Sequence, residues 1–328
     1  MRSLYRAGDG SLKHDLNTEQ LAAALKDKGG LLWLDLNGDR SADEKALLTT
    51  TFSFHPLAVE DALEESHVPK IYDWEEYVYL VLHAVHFAQE PVAHVQPVEL
   101  DVFLGRNFMV THHGDPLPAL ELVWNNKQRD GRLLARGSSY LLYRLCDEII
   151  GEYMPVIDAM DDSIDRMEDE VFDNPTPRML EHIFGLKRAL LSMRRIIMPQ
   201  REVMNKLGRG DFDLVNADQR VYFRDLYDQL VRQHDIVDSM RDLVGGTLDT
   251  YLSVINNRLN ETMRRLTLIT TLFMPLSFIA SFFGMNFFAP HAVVFDLWTT
   301  RLAFAVTMAA MVVTPAVMFV WLRRQTSM

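Results

Sequence analysis

Hydrophobic and polar positions change period along this chain, and the changes divide it. Over the first 115 residues or so, short runs rich in aromatic and β-branched side chains at 31–36, 77–88, 97–104 and 108–111 predict strands. Gly105-Arg106-Asn107 reads as the turn between the last two. Asn17 with Gln20, and Ser41 with Glu44, have the spacing of a capping box, and Pro56 suits the first position of a helix through Glu65. Asp115-Pro116-Leu117-Pro118 closes this region. From there Leu, Ile and Met recur at helical spacing over 117–130, 138–172 and 176–207. Asp173-Asn174-Pro175-Thr176-Pro177 is a tight link, and Gly208-Arg209-Gly210 a second break. Residues 216–284 hold no proline before Pro275, which predicts one helix too long for a single membrane crossing, with Gly245-Gly246 as a loosened point.

Two runs, 266–290 and 302–322, contain no charged residue. Each is at least as long as the roughly 20 residues that a spanning helix needs. A buried hairpin in a soluble core would share the pattern. One Asp or Arg at mid-bilayer costs about 2.5–3.5 kcal/mol, however, so freedom from charge over such lengths favours lipid. Arg258, Arg264 and Arg265 precede the first run, and Arg323 and Arg324 follow the second. Basic flanks stay inside, which predicts cytoplasmic termini and an outer loop near 287–300.

Composition narrows the function. The formal net charge of −12 disfavours nucleic acid as a partner, because phosphate binding needs a basic footprint. Residues 147–173 carry eleven Asp or Glu against one basic residue, Arg166. Such a helix is ordinarily a solvated face; beside a pore it would also attract cations. Cys146 is the one cysteine, so neither a disulfide framework nor a thiolate zinc cluster forms within one chain. Its place in an acidic helix predicts a poorly reactive thiol. Residues 1–10 carry charge without an apolar stretch, as expected where no secretory signal is present. His83-x-x-His86 falls in a strand, where positions three apart point to opposite faces, and His112-His113 closes another, so zinc is not expected at either. The sequence has no G-x-x-x-x-G-K-[ST] loop, which argues against ATP drive. A membrane-anchored hydrolase, the other class considered, would need a nucleophile with a base or a His and Asp cluster, and neither is evident.

The sharpest feature is Gly284-Met285-Asn286, at the outer end of the first apolar run. Mg²⁺ gives up its first-shell water reluctantly, so a selective mouth can hold the hydrated ion through its waters. Asn286 offers an amide oxygen and a carbonyl without charge, and Gly284 lets backbones approach. Gly and Asn also favour helix ends, so the tripeptide alone leaves cap and filter open. Upstream, Asn260, Met263, Thr267, Thr270, Met274, Ser277, Ser281 and Gly284 fall three or four apart on one helical face. That spacing suits a pore lining and membrane helix packing alike.

Phe283-Gly284-Met285-Asn286 resembles the Tyr-Gly-Met-Asn signature of the CorA family of magnesium and cobalt channels, with Phe283 in the tyrosine position. The stretch 251–287, including FMPLSFIASFFGMNF, is similar to the family's stalk end and first membrane helix. HPLAVEDAL at 55–63, YLLYRLCDEII at 140–150 and VYFRDLYDQL at 221–230 are similar to its soluble domain. The zinc-transporting ZntB branch shares fold and motif. The resemblance implies an α+β cytoplasmic domain, a very long stalk helix and two transmembrane α-helices, assembled as a homopentamer in the lipid of the inner membrane. Its implied divisions are 1–115 for the α/β domain, 116–210 for a helical region, 211–265 for the stalk, 266–288 and 302–322 for the spans, 289–301 for the outer loop and 323–328 for a basic tail.

The activity so implied is influx of Mg²⁺, with Co²⁺ and Ni²⁺ as further cargo, driven by membrane potential and gated by cytoplasmic Mg²⁺. Gly284, Met285 and Asn286 match the filter. Asn260, Met263, Leu266, Thr270, Met274, Ser277 and Ser281 match pore-lining positions, with Met263, Leu266 and Met274 as a constriction that gates by dewetting. Asp61 and Asp249 match a pair that meets across a subunit interface to hold regulatory Mg²⁺. Glu60, Asp147 and Asp225 match a neighbouring metal site. The alternative is a Zn²⁺ importer of the ZntB type, proton-coupled; the predicted pore face carries no carboxylate, which favours magnesium. Two departures stand out. Ser281 occupies a place where family members often have glycine, and Asp296 is the only carboxylate of the outer loop, so cation concentration at that mouth should be weak.

Overall fold

The structure, a computed structural model, describes residues 1–38, 42–64, 68–88, 93–130, 132–284 and 301–326. It divides into two compact units, Met1–Tyr251 and Leu252–Met328.

The first unit is built on a seven-stranded mixed sheet. In chain order its strands are β1 (Arg2–Arg6), β2 (Leu12–His14), β3 (Leu31–Asn37), β4 (Lys70–Asp73), β5 (Val78–Ala88), β6 (His94–Leu104) and β7 (Phe108–His113). The spatial order is β2-β1-β3-β7-β6-β5-β4. Only β3 and β7 run parallel, with Leu34 opposite Val110; β5 and β6 form a long antiparallel ladder. Alternation sends Leu32, Leu34 and Leu36 to one face, where they meet Leu21, Leu48, Phe54 and Val59 from the helices α1 (Thr18–Lys26) and α3 (Pro56–Leu63) and the segment between. Trp33 faces the other way, 4.5 Å from Trp124 on α4 (Pro118–Asp130). A sheet covered on both sides explains why its central strands read as continuous apolar runs.

Local chemistry sets the helix ends. Both halves of the Asn17–Gln20 capping box form, at 2.9 and 3.0 Å. Of the Ser41–Glu44 pair, Ser41 lies outside the described residues; the short helix α2 (Ala42–Ala46) follows it. His55 caps α3 ahead of Pro56, and Glu64 ends it; Glu65 lies outside the described residues.

The helix expected over 138–172 is two helices, α5 (Ser138–Gly151) and α6 (Tyr153–Asp173), divided at Glu152. Pro155 supplies the reason: it has no N–H to bond the carbonyl of Gly151, and its ring crowds that carbonyl. Helix α7 (Pro177–Arg209) runs through Gly208 and stops at Gly210, whose φ of 84° is a left-handed cap. The break expected over Gly208-Arg209-Gly210 thus falls at the last of the three. Helix α8 (Arg220–Phe283) is continuous through Gly245-Gly246, and Phe223, Leu226, Leu230, Val237, Met240 and Val244 bury one stripe of it in the first unit.

The second unit contains the end of α8 and α9 (Arg301–Thr326). The 18-residue apolar window of α8 has a mean hydropathy of 1.5 and contains no fully buried residue. Its surface is therefore not that of a water-soluble core helix.

Candidate ion pathway and regulatory carboxylates

Within the second unit α8 has two contrasting faces. Leu268, Thr271, Leu272, Pro275, Leu276 and Ile279 are half-buried. On α9 the same state falls on Thr307, Ala310, Met311, Thr314, Pro315 and Met318. Both sets repeat three and four apart, so each helix has one covered stripe. Asn260, Met263, Leu266, Thr267, Thr270, Met274, Ser277, Ser281 and Gly284 are all exposed. At about 100° per residue this set is centred roughly opposite the covered stripe of α8. The predicted pore face thus lies within the wider surface that the chain itself leaves open, which also carries Ile269, Phe273 and Phe278.

That face has a definite polarity. The Thr267 hydroxyl donates to the Met263 carbonyl at 2.8 Å, and the Thr270 hydroxyl to the Leu266 carbonyl at 3.0 Å. With their hydrogens committed to the helix, both present oxygen lone pairs outward. The waters of a hydrated cation point hydrogens outward, so such a surface suits it. Gly284 closes the helix by donating its N–H to the Ala280 carbonyl at 2.9 Å. Met285, Asn286 and Asp296 lie outside the described residues.

The five candidate regulatory carboxylates all belong to the first unit. Glu60 and Asp61 stand in the last turn of α3. Glu60 is exposed, and the Asp61 carboxylate accepts from the Lys70 ammonium on β4 at 2.7 Å. An ammonium thus already sits at that carboxylate, whose oxygens are of the kind a hard divalent ion takes. Asp249 is exposed on α8. Asp147 on α5 lies within electrostatic reach of Asp225 on α8: burial raises the Asp147 carboxyl, Arg144 opposes, and the Asp225 charge raises it further. Among the described residues no three His, Cys, Asp or Glu side chains are grouped to hold a metal.

A buried polar network on the sheet was not foreseen. Asp35 accepts from Thr111 at 2.6 Å and from Arg2 at 2.8 Å, with His113 at 3.5 Å. Burial alone would raise the Asp35 carboxyl, but His113, Thr111 and Arg2 hold it below its ordinary value. Next to it His112 stands 3.6 Å from Asp101 and 3.8 Å from Glu44. The signal was an Asp within each of two apolar runs, Leu-Asp-Leu at 34–36 and Leu-Asp-Val at 100–102. His83 is buried and His86 exposed, as alternation requires. Cys146 is buried and its thiol is raised, chiefly by burial and only secondarily by Asp147, so the acidic helix was the lesser cause.

A family model described as CorA-like Mg²⁺ transporter protein matches residues 28–324. The chain belongs to the CorA family. CorA proteins are transporters rather than enzymes, and this chain is similar to several curated members. It is 34% identical to the cobalt/magnesium transport protein CorA of Thermotoga maritima over 266 residues, 80% of this chain and 75% of that one. It is 32% identical to the putative metal ion transporter YfjQ of Bacillus subtilis, over 78% of each. Among solved structures, the complete CorA magnesium transporter of Methanocaldococcus jannaschii aligns at a TM-score of 0.80 and 22% identity, covering 98% of this chain and 97% of that one. The α/β domain, long helix and paired C-terminal helices described above are therefore the CorA fold.

Proposed function

We propose that this chain is the subunit of a homopentameric divalent-cation channel in the inner (plasma) membrane, passing Mg²⁺ inward and closed by cytoplasmic Mg²⁺. The observation that supports this most directly is the open face of α8. A stripe of small hydroxyl and amide side chains, interrupted by Met263, Leu266 and Met274, is left uncovered by its own chain. Copies arranged around an axis would bring those stripes together as a lining. The three large apolar residues would form the gate, and Gly284, Met285 and Asn286 the outer filter. Both termini lie in the cytoplasm on this reading, in keeping with the basic flanks.

Drive comes from the membrane potential. A doubly charged ion moving inward gains about 4.6 kcal/mol per 100 mV, which supports a gradient of about a thousandfold. Feedback comes from carboxylates at the subunit boundary. Asp61 and Asp249 repel when uncompensated, and Mg²⁺ between them holds a closed state that its loss releases. A ligand shifts such a balance only by preferring one state, which is what bridging provides. Glu60, Asp147 and Asp225 form a second, neighbouring site.

The test is uptake into liposomes under an imposed potential, comparing Mg²⁺, Co²⁺, Ni²⁺ and Zn²⁺. Potential-dependent Mg²⁺ entry is expected, and Asn286→Ala should abolish it while leaving assembly intact. Zn²⁺ entry that outpaces Mg²⁺ and follows a proton gradient would replace this reading with zinc import.

A further inference from the structure

Lys70 opens β4, the edge strand of the sheet, and its ammonium lies 2.7 Å from the Asp61 carboxylate on α3. Lys70 and Tyr72 are two apart on the strand and so share a face, and the ammonium stands 5.6 Å from the centre of the Tyr72 ring. The side chains are partly open to water, 23% for Lys70 and 44% for Asp61. The cation is therefore held by a carboxylate on one side and a π-face on the other, without being locked in place. The pair lies wholly within one chain and needs no second subunit to form.

We infer that Lys70 is a tethered competitor for the regulatory divalent cation at Asp61. This rests on the proposal that Asp61 and Asp249 hold Mg²⁺. One carboxylate cannot give its full charge to an ammonium and a divalent ion together. Mg²⁺ must displace Lys70 before it binds, and the flexible four-carbon stem lets the ammonium withdraw toward Tyr72. Lys70 thereby raises the Mg²⁺ concentration at which the closed state is reached, setting the threshold of feedback. A half-exposed ion pair shifts an equilibrium by up to about fivefold, and loss of a positive charge beside a divalent ion adds to that.

The experiment titrates MgCl₂ against protease digestion of the full-length protein in detergent and reads the half-protecting concentration. Lys70→Met, which keeps most of the stem and removes the charge, should lower it about two- to tenfold. Lys70→Arg should stay near wild type. Lys13→Met, on β2 at the opposite edge of the sheet, should also stay near wild type although it removes the same charge. Should Lys70→Met not assemble, Lys70→Gln replaces it with the same expectation. A Lys70→Met value at or above wild type, or equal shifts from Lys70→Met and Lys13→Met, overturns the inference while Asp249→Ala still weakens protection. If Asp249→Ala leaves protection unchanged, the metal site itself falls, and the inference with it.

Discussion

Asp101 makes the energetics of the buried network measurable. It lies on β6 with 2% of its surface exposed, accepts from the Tyr79 hydroxyl at 2.6 Å and faces the His112 ring at 3.6 Å. Burial raises its carboxyl from the ordinary 3.8 to about 6, against a downward pull from His112 and Tyr79. The folded value lies above the unfolded one, so the fold prefers the protonated acid. The stability this contributes is complete below about pH 4 and is lost as pH rises through about 6, a difference of about 3 kcal/mol. Asp101→Asn mimics the protonated acid, keeping an acceptor for Tyr79 and adding a donor toward His112. Its stability relative to wild type should grow by about 1.4 kcal/mol per pH unit between about pH 4 and 6, then level off. Guanidinium unfolding of the full chain in detergent, followed by tryptophan fluorescence, measures this at each pH. Burial would lower the His113 imidazole but Asp35 raises it; its stabilising share, lost with rising pH, is present in both proteins and cancels. Parallel curves for variant and wild type across this range would refute the reasoning.

The open face of α8 can be tested by contrast. Phe278→Asp, off the proposed lining, should impair insertion or assembly by about 2.5–3.5 kcal/mol, whereas Ser277→Asp, facing a watery axis, should assemble and alter conductance; equal loss of assembled protein from both would remove the axial assignment. Gln200 is fully buried, accepts from the His83 N–H at 2.9 Å and donates to the Tyr153 hydroxyl at 2.7 Å. Because β4 pairs with β5 only as far as Val81, that N–H has no ladder partner on its open side. Gln200→Leu should therefore cost about 2 kcal/mol in chemical denaturation, and no loss would show that the bridge is dispensable.

Much of the fold was legible in the chain. Strands at 31–36, 77–88, 97–104 and 108–111 and the long final helices announce themselves by period and length. The three missed strands are short. Residues 2–6, Arg-Ser-Leu-Tyr-Arg, show no period-two alternation, and β1 forms because β2 and β3 pair with both its edges. Residues 70–73 make a strand only because the outer edge of β5 is there to receive them. The division at Glu152 depends on Pro155, which was visible but outweighed by the apolar repeat around it. At the site, a helical face could be read from spacing, and the structure adds that this face lies on the uncovered side of the helix. Lys70 could not be found that way, because its partner lies nine residues away across a helix end and a strand start.

The sheet also constrains the order of biosynthesis. Its central parallel pair joins residues 32–37 to 108–113, with residues 2–6 on the far side of β3. The first strand made therefore waits for more than a hundred further residues before its sheet closes. Every strand is nevertheless translated well before residue 252, where the apolar unit starts. N-terminal domains tend to fold as they emerge from the ribosome. The sheet can close before the first hydrophobic helix has to be handed to the bilayer.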